Sequence, residues 1–174
     1  MKILALDIAT TTGICVGNSG ADPKAWSVSL GQPPEGRRLS NALVMTNGLI
    51  RTHDPDLIVI EAAIGGKNAS PYLIKLVGCV EGCAYNRGVK LVTVYPATVR
   101  KHFVGKSKTS RDFPGLKPAK AKLAIKSEIA ARCALLGWDV GDDLDAADAA
   151  ATWDWACATH APRYQAKPLG GMFA

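Results

Sequence analysis

The sequence contains no apolar run approaching the roughly 20 residues that a helix needs to cross a bilayer, so no membrane partner is expected. Its start, MKILALD, has no secretory h-region and no clear cleavage site, and reads as a first strand in a cytoplasmic protein. No C-x-x-C pair is present. The five cysteines, Cys15, Cys79, Cys83, Cys133 and Cys157, are odd in number and read as reduced, mostly buried thiols. Cys79 and Cys83 lie four apart but have no further ligands nearby in sequence, so they read as two small helix residues and not a metal pair. His53, His102 and His160 are scattered without zinc-ligand spacing and read as surface or boundary residues. There is no Ser-His-Asp order, no Walker A motif and no internal repeat, which sets aside triad hydrolases, P-loop nucleotidases and solenoids.

What is present fits one domain with a real core: 174 residues, 48% of them hydrophobic. The net charge of +6 and pI near 9.1 point to a polyanionic partner. Periodicity predicts strands over 2–7, 13–17 and 26–30, then a helix over 37–53 with Leu39, Ala42, Leu43, Leu49 and Ile50 on its buried side. Asp54-Pro55 ends that helix, because the residue before proline is pushed out of helical geometry. The continuous apolar run LIVIE, 57–61, fits a strand covered on both faces. A helix over 70–87, a strand over 89–95, a short helix over 96–103, a loop over 104–117 and helices over 118–136 and 143–159 complete an α/β layer fold with a mixed sheet. The expected division is a domain over 1–160 and an irregular tail over 161–174.

The acids carry the candidate chemistry. Asp7 closes the first strand and Glu61 closes LIVIE, at the sheet edge where sites form in open α/β sheets. A carboxylate held there is costly unless a cation or donor meets it. Asp145 and Asp148, three apart, share one face of the last helix. Ala146, Ala147, Ala149, Ala150 and Ala151 around them let that helix lie close to the sheet. Helix capping explains Asp142 and Asp143 well, but explains Asp148 less well because the dipole effect fades after the first turn. Four carboxylates from three elements suit two magnesium ions roughly 3.5–4 Å apart, which activate water and relieve charge in phosphodiester cleavage. Manganese fits the same oxygen ligands.

Basic residues are concentrated elsewhere. Residues 87–126 carry eleven, including Arg100, Lys101, Lys106, Lys108, Lys117, Lys120 and Lys122, against the single acid Asp112. Residues 139–154 carry six acids and no base. A metal site beside a phosphate-binding surface has this polarity.

These residues resemble the RuvC-type Holliday-junction resolvases. The order D-I-A-T-T-T-G after the first strand, I-V-I-E at the fourth and D-A-A-D-A in the last helix is similar to the family's, and Glu61 to Asn68 resembles its segment of Glu, five residues, then Lys-Asn. Gly78 and Gly82 fall on the following helix as a similar glycine pair does there, and the resemblance covers about residues 1–160. It implies a ribonuclease H-like mixed sheet flanked by helices and a magnesium-dependent endonuclease, in which a homodimer binds a four-way DNA junction and nicks two strands. By position it implies that Asp7, Glu61, Asp145 and Asp148 hold metal or activate water. Lys120 would stabilise the cut phosphate, with Arg100 and Lys67 on the DNA-facing surface.

The chain departs from the family pattern in three places. Ile8 and Ala9 replace a proline and glycine, in a turn one residue shorter; Ile64 stands where an aromatic wedge is common; and the loop 106–117 is longer. An apolar wedge still serves to probe an opened junction, with weaker stacking. Short, diverged members of this kind occur among phages. Three rival readings remain open: an actin-like or sugar-kinase ATPase, which needs two such domains; a related nuclease acting on flaps, forks or RNA–DNA hybrids; and a junction-binding module without activity.

Overall fold

The computed structural model describes residues 1–63, 70–109, 112–162 and 164. Five strands, β1 (Lys2–Asp7), β2 (Thr11–Asn18), β3 (Lys24–Ser29), β4 (Leu57–Glu61) and β5 (Lys90–Val94), form one sheet in the order β3-β2-β1-β4-β5. The first three pair antiparallel, while β4 pairs parallel with both β1 and β5. The helices are α1 (Glu35–His53), α2 (Pro71–Asn86), α3 (Pro96–Val104), α4 (Pro118–Leu135) and α5 (Leu144–His160).

Alternation along the central strands sorts the core into two halves. Leu4, Leu6, Ile58 and Ile60 face α1 and α2, where Ala42, Ile50, Leu76 and Val80 meet them. Ile3, Ala5, Leu57 and Val59 face the other way, onto Val99 and Phe103 of α3, Ile129 of α4 and the alanines of α5. The LIVIE run is therefore apolar throughout because β4 is covered on both sides. The same alternation puts Asp7 and Glu61, next in step after Ala5 and Val59, on the α5 face.

Local chemistry sets the helix boundaries. Asp54 adopts left-handed geometry (φ 46°) to end α1 ahead of Pro55. Ser70 caps α2 by accepting from the Leu73 N–H, and Pro71 opens its first turn. Asp143 caps α5, accepting from the N–H groups of Asp145 and Ala146 at 3.1 and 3.0 Å. The buried row of α1 is Ala42, Thr46 and Ile50, whereas Leu43 is 41% exposed. A turn of 100° per residue carries Leu43 off the row that its neighbours occupy. β2 begins two residues earlier than its apolar run, because pairing with Ser29 and Val28 of β3 draws in Thr11 and Thr12. The buried Thr12 hydroxyl donates to the Ala9 carbonyl at 2.9 Å.

α5 lies across β1, β2 and β3. Ala146, Ala147, Ala149, Ala150, Ala151 and Ala156 are all fully buried. The approach is tightest at Gly13, where a Cβ would stand 1.9 Å from the Asp145 carbonyl oxygen and 3.3 Å from Ala149 Cβ. Relieving that overlap requires the first turn of α5 to move, and with it Asp145. Gly13→Ala is expected to destabilise the fold by about 1–3 kcal/mol, the usual range for overpacking. Gly36→Ala, where nothing lies within 4 Å, serves as the control and is expected to be neutral or slightly stabilising. Urea denaturation midpoints measure both. Equal midpoints for the two variants would contradict the close approach.

Candidate active site

Asp7 and Glu61 end neighbouring parallel strands, and the Leu6–Ile60 register brings them side by side. The first two turns of α5 bring Asp145 and Asp148 over the same edge. One oxygen from each of Asp7, Asp145 and Asp148 lies within 4.8 Å of the others. Glu61 is outside that close trio but lines the same cleft, of about 490 Å³, together with Pro96, Ala97, Arg100, Lys122 and Lys126. A second, smaller recess of about 290 Å³, walled by Ile8, Ala62, Ala63, Leu73 and Val77, also reaches Asp7 and Glu61.

The carboxylates are poorly solvated, the Asp148 side chain being only 8% exposed and that of Asp7 18%. Burial raises Asp7 to about 6, with the charge of Asp148 adding to the shift and Lys126 opposing it. Glu61 is pushed to about 8 by burial and then by the charges of Asp7 and Asp148, against Arg100 and Lys126. Asp148 is also raised, again chiefly by burial, with Lys126 pulling it back. Burial alone would depress Lys126, but the charges of Asp148 and Asp7 and hydrogen bonds to Asp145 and Asp148 outweigh it and hold the ammonium above its ordinary range. Two cationic side chains thus face four crowded carboxylates. Hard oxygen donors with unmet negative charge in a partly dry cleft fit a divalent cation.

The structure brings together Asp7, Glu61, Asp145, Asp148 and, on the cleft wall, Arg100, Lys108 and Lys122. Lys108 also pairs with Glu128. Lys101, Lys106, Lys117 and Lys120 are exposed and do not line the cleft. Ile64 and Lys67 lie outside the described residues, as does most of the tail 161–174. The lysine that meets the carboxylates is Lys126, not Lys120. Six residues of helix leave Lys120 about 120° around the axis from Lys126. The row Lys122, Ile125, Lys126, Ile129 was the available signal: two buried isoleucines beside two lysines on one face of α4. His102 is likewise no bystander. Its Nε2 lies 2.8 Å from Oδ2 of the buried Asp154, whose Oδ1 accepts from the Tyr164 hydroxyl. With Val99 and Phe103 buried, this pairing fastens α3 to α5 and so sets the position of Arg100.

Solved structures with this architecture are known. The chain superimposes on Thermus thermophilus RuvC with a TM-score of 0.63 at 17% identity, covering 91% of this chain and 96% of that one. The fold is ribonuclease H-like, as in RuvC. T. thermophilus RuvC in complex with a Holliday junction substrate matches with a TM-score of 0.63 at 15% identity, over 87% of this chain and 89% of that one. The yeast mitochondrial Holliday junction resolvase Ydc2 matches with a TM-score of 0.53 at 14% identity, over 86% and 75%. No protein-family model and no curated protein matches the sequence. The mixed sheet with helices on both faces that the sequence predicts is thus the RuvC architecture. Among the described residues, no helix is long and apolar enough to cross a membrane.

The raised acids make stability depend on pH. Glu61 keeps its proton to about 8 in the folded chain, against an ordinary 4.5. Between those values the folded chain binds a proton that the unfolded chain has released, so folding weakens as pH rises through that window. In chelator, the urea midpoint is expected to fall between roughly pH 5 and 8.5, and Glu61→Gln is expected to flatten the fall. An unchanged pH slope in that variant would show that Glu61 is not the group responsible.

Proposed function

We propose that the chain is a structure-selective endonuclease that resolves four-way DNA junctions by metal-dependent phosphodiester hydrolysis. The observation that carries this reading is the convergence of Asp7, Asp145 and Asp148 within 4.8 Å, beside Glu61 and in a cleft bordered by basic side chains, on the RuvC fold. Two magnesium ions, or manganese in their place, would supply an activated water and charge relief at the leaving oxygen. Asp7, Asp145 and Asp148 would hold them. Glu61 would complete the set as a ligand or, once the charge of a bound cation has driven off its own proton, as acceptor of the water's proton. Arg100 and Lys122 line the cleft and orient the phosphate, while Lys101, Lys106, Lys117 and Lys120 extend the cationic surface along which the DNA backbone lies. Lys67 and Ile64 are proposed as further DNA contacts on the strength of the sequence resemblance alone.

A symmetric pair of nicks requires two such sites, which we assign to a homodimer joined through α2. Ile74, Gly78, Gly82 and Tyr85 form an outward stripe on that helix; Ile74 is 50% exposed and Tyr85 87%. A Cβ added at Gly78 or Gly82 meets nothing within 4 Å in the protomer, so these glycines leave a shallow outer face that a second helix can approach closely.

Asp7→Asn is expected to abolish cleavage of a synthetic four-way junction while leaving junction binding, read by gel shift in calcium, largely intact, because Asp7 organises cations and touches no phosphate. Cutting at the wild-type rate would remove Asp7 from the site. Side-by-side rates on a mobile junction, a flap and an RNA–DNA hybrid decide the substrate; preference for the hybrid or the flap would transfer the activity to a related nuclease. Gly78→Arg is expected to give a folded monomer by sedimentation equilibrium, and a persistent dimer would place the interface elsewhere.

A further inference from the structure

Lys126 occupies an unusual position. Its Nζ lies 2.6 Å from Asp145 Oδ1, 2.7 Å from Asp148 Oδ2 and 3.8 Å from Asp7 Oδ2. These three carboxylates are the trio whose oxygens converge, so the ammonium sits where a cation bound by all three would sit. We propose that Lys126 is the resident counter-ion of this cluster, holding the carboxylates in register until a divalent ion enters and displaces it. The inference rests on the metal-centre reading of the site and adds to it an exchange of one cation for another.

Space and charge both favour the exchange. A magnesium-sized ion binds carboxylate oxygens at roughly 2.0–2.1 Å. If it took Asp145 Oδ1 and Asp148 Oδ2 while the ammonium stayed hydrogen-bonded to both, two cations would share the same oxygens within a few ångströms and repel one another. A side chain that has only one charge and is held by its flexible end is the weaker competitor. The lysine stem is free to yield: Lys126 lies on the cleft wall, its side chain is 29% exposed, and the cleft beside it is open. The backbone of α4 need not follow, because Ala121, Ile125 and Ile129 are buried and anchor the helix. Three carboxylates without any counter-ion would repel one another and draw in protons or water. Lys126 therefore keeps the site assembled at the expense of metal affinity, and once displaced its ammonium stays on the wall that faces an arriving phosphate.

The test needs no DNA. Mn2+ binding is followed by the electron paramagnetic resonance signal of the free ion for the wild type, Lys126→Met and Lys126→Arg. Lys126→Met is expected to bind Mn2+ about tenfold more tightly, Lys126→Arg is expected to bind it no more tightly than wild type, and Mn2+ is expected to raise the melting temperature of the Met variant more than that of the wild type. Unchanged or weaker binding by a folded Lys126→Met would overturn the proposal. Should that variant not fold, the wild-type protein labelled with 13C at lysine Cε gives the answer. Saturation with Mg2+ is expected to shift the Lys126 resonance, and a resonance that does not move would show that the lysine is not displaced. Failure of the wild type to bind Mn2+ at all would remove the metal centre as well. Metal binding with displacement but without junction cleavage would leave this inference standing and overturn only the assigned substrate.

Discussion

The carbonyl of Asp145 rests against the bare Cα of Gly13, at a place where a single methyl group would stand 1.9 Å from the oxygen. Everything in the site follows from that proximity. Two of the four acids come from strand ends and two from a helix, and they meet only because α5 lies almost on the backbone of β2. The fully buried alanines of α5 are the means: they leave no side-chain bulk between helix and sheet along its first two turns. Alternation along β1 and β4 then decides which face of the sheet Asp7 and Glu61 join, and it is the face α5 covers.

Bringing four carboxylates together in a partly buried cleft is unfavourable in itself. Removing an ion from water costs several kcal/mol even after relaxation, and the raised proton affinities of Asp7, Glu61 and Asp148 record the strain. The structure answers with cations from two other elements. Lys126 reaches in from α4, and the charge of Arg100, on α3, favours ionisation of Asp7, Glu61 and Asp148. Both helices are fixed by apolar anchors, Phe103 and Val99 in one and Ile125 and Ile129 in the other. An acidic pocket inside a basic surface is the outcome: the surface attracts polyanions, and the clustered carboxylates suit divalent ions.

Much of this was legible in the sequence. LIVIE coincides with β4, because a strand buried on both faces leaves a continuous apolar run, and Asp54-Pro55 marks the end of α1 through backbone geometry alone. The four acids stood out because each interrupts or closes an apolar or alanine-rich element. The paired basic residues did not. Lys126 is one of eleven basic residues in its stretch of chain; its place beside the buried Ile125 and Ile129 is the sequence sign that separates it from Lys120, and the placement of α4 against α5 brings it to the acids. His102 looked ordinary because its partner, Asp154, is 52 residues away in the sequence. Leu43 lies off the buried row because hydrophobicity alone gives no weight to Thr46, which continues the row from Ala42 to Ile50.

The most direct test of the account is anomalous diffraction from crystals of the protein grown with Mn2+. Manganese density is expected within bonding distance of Asp7, Asp145 and Asp148, with the Lys126 ammonium withdrawn from Asp145 and Asp148. Manganese found only at other positions, with Lys126 still bridging the three carboxylates at saturating metal, would contradict it.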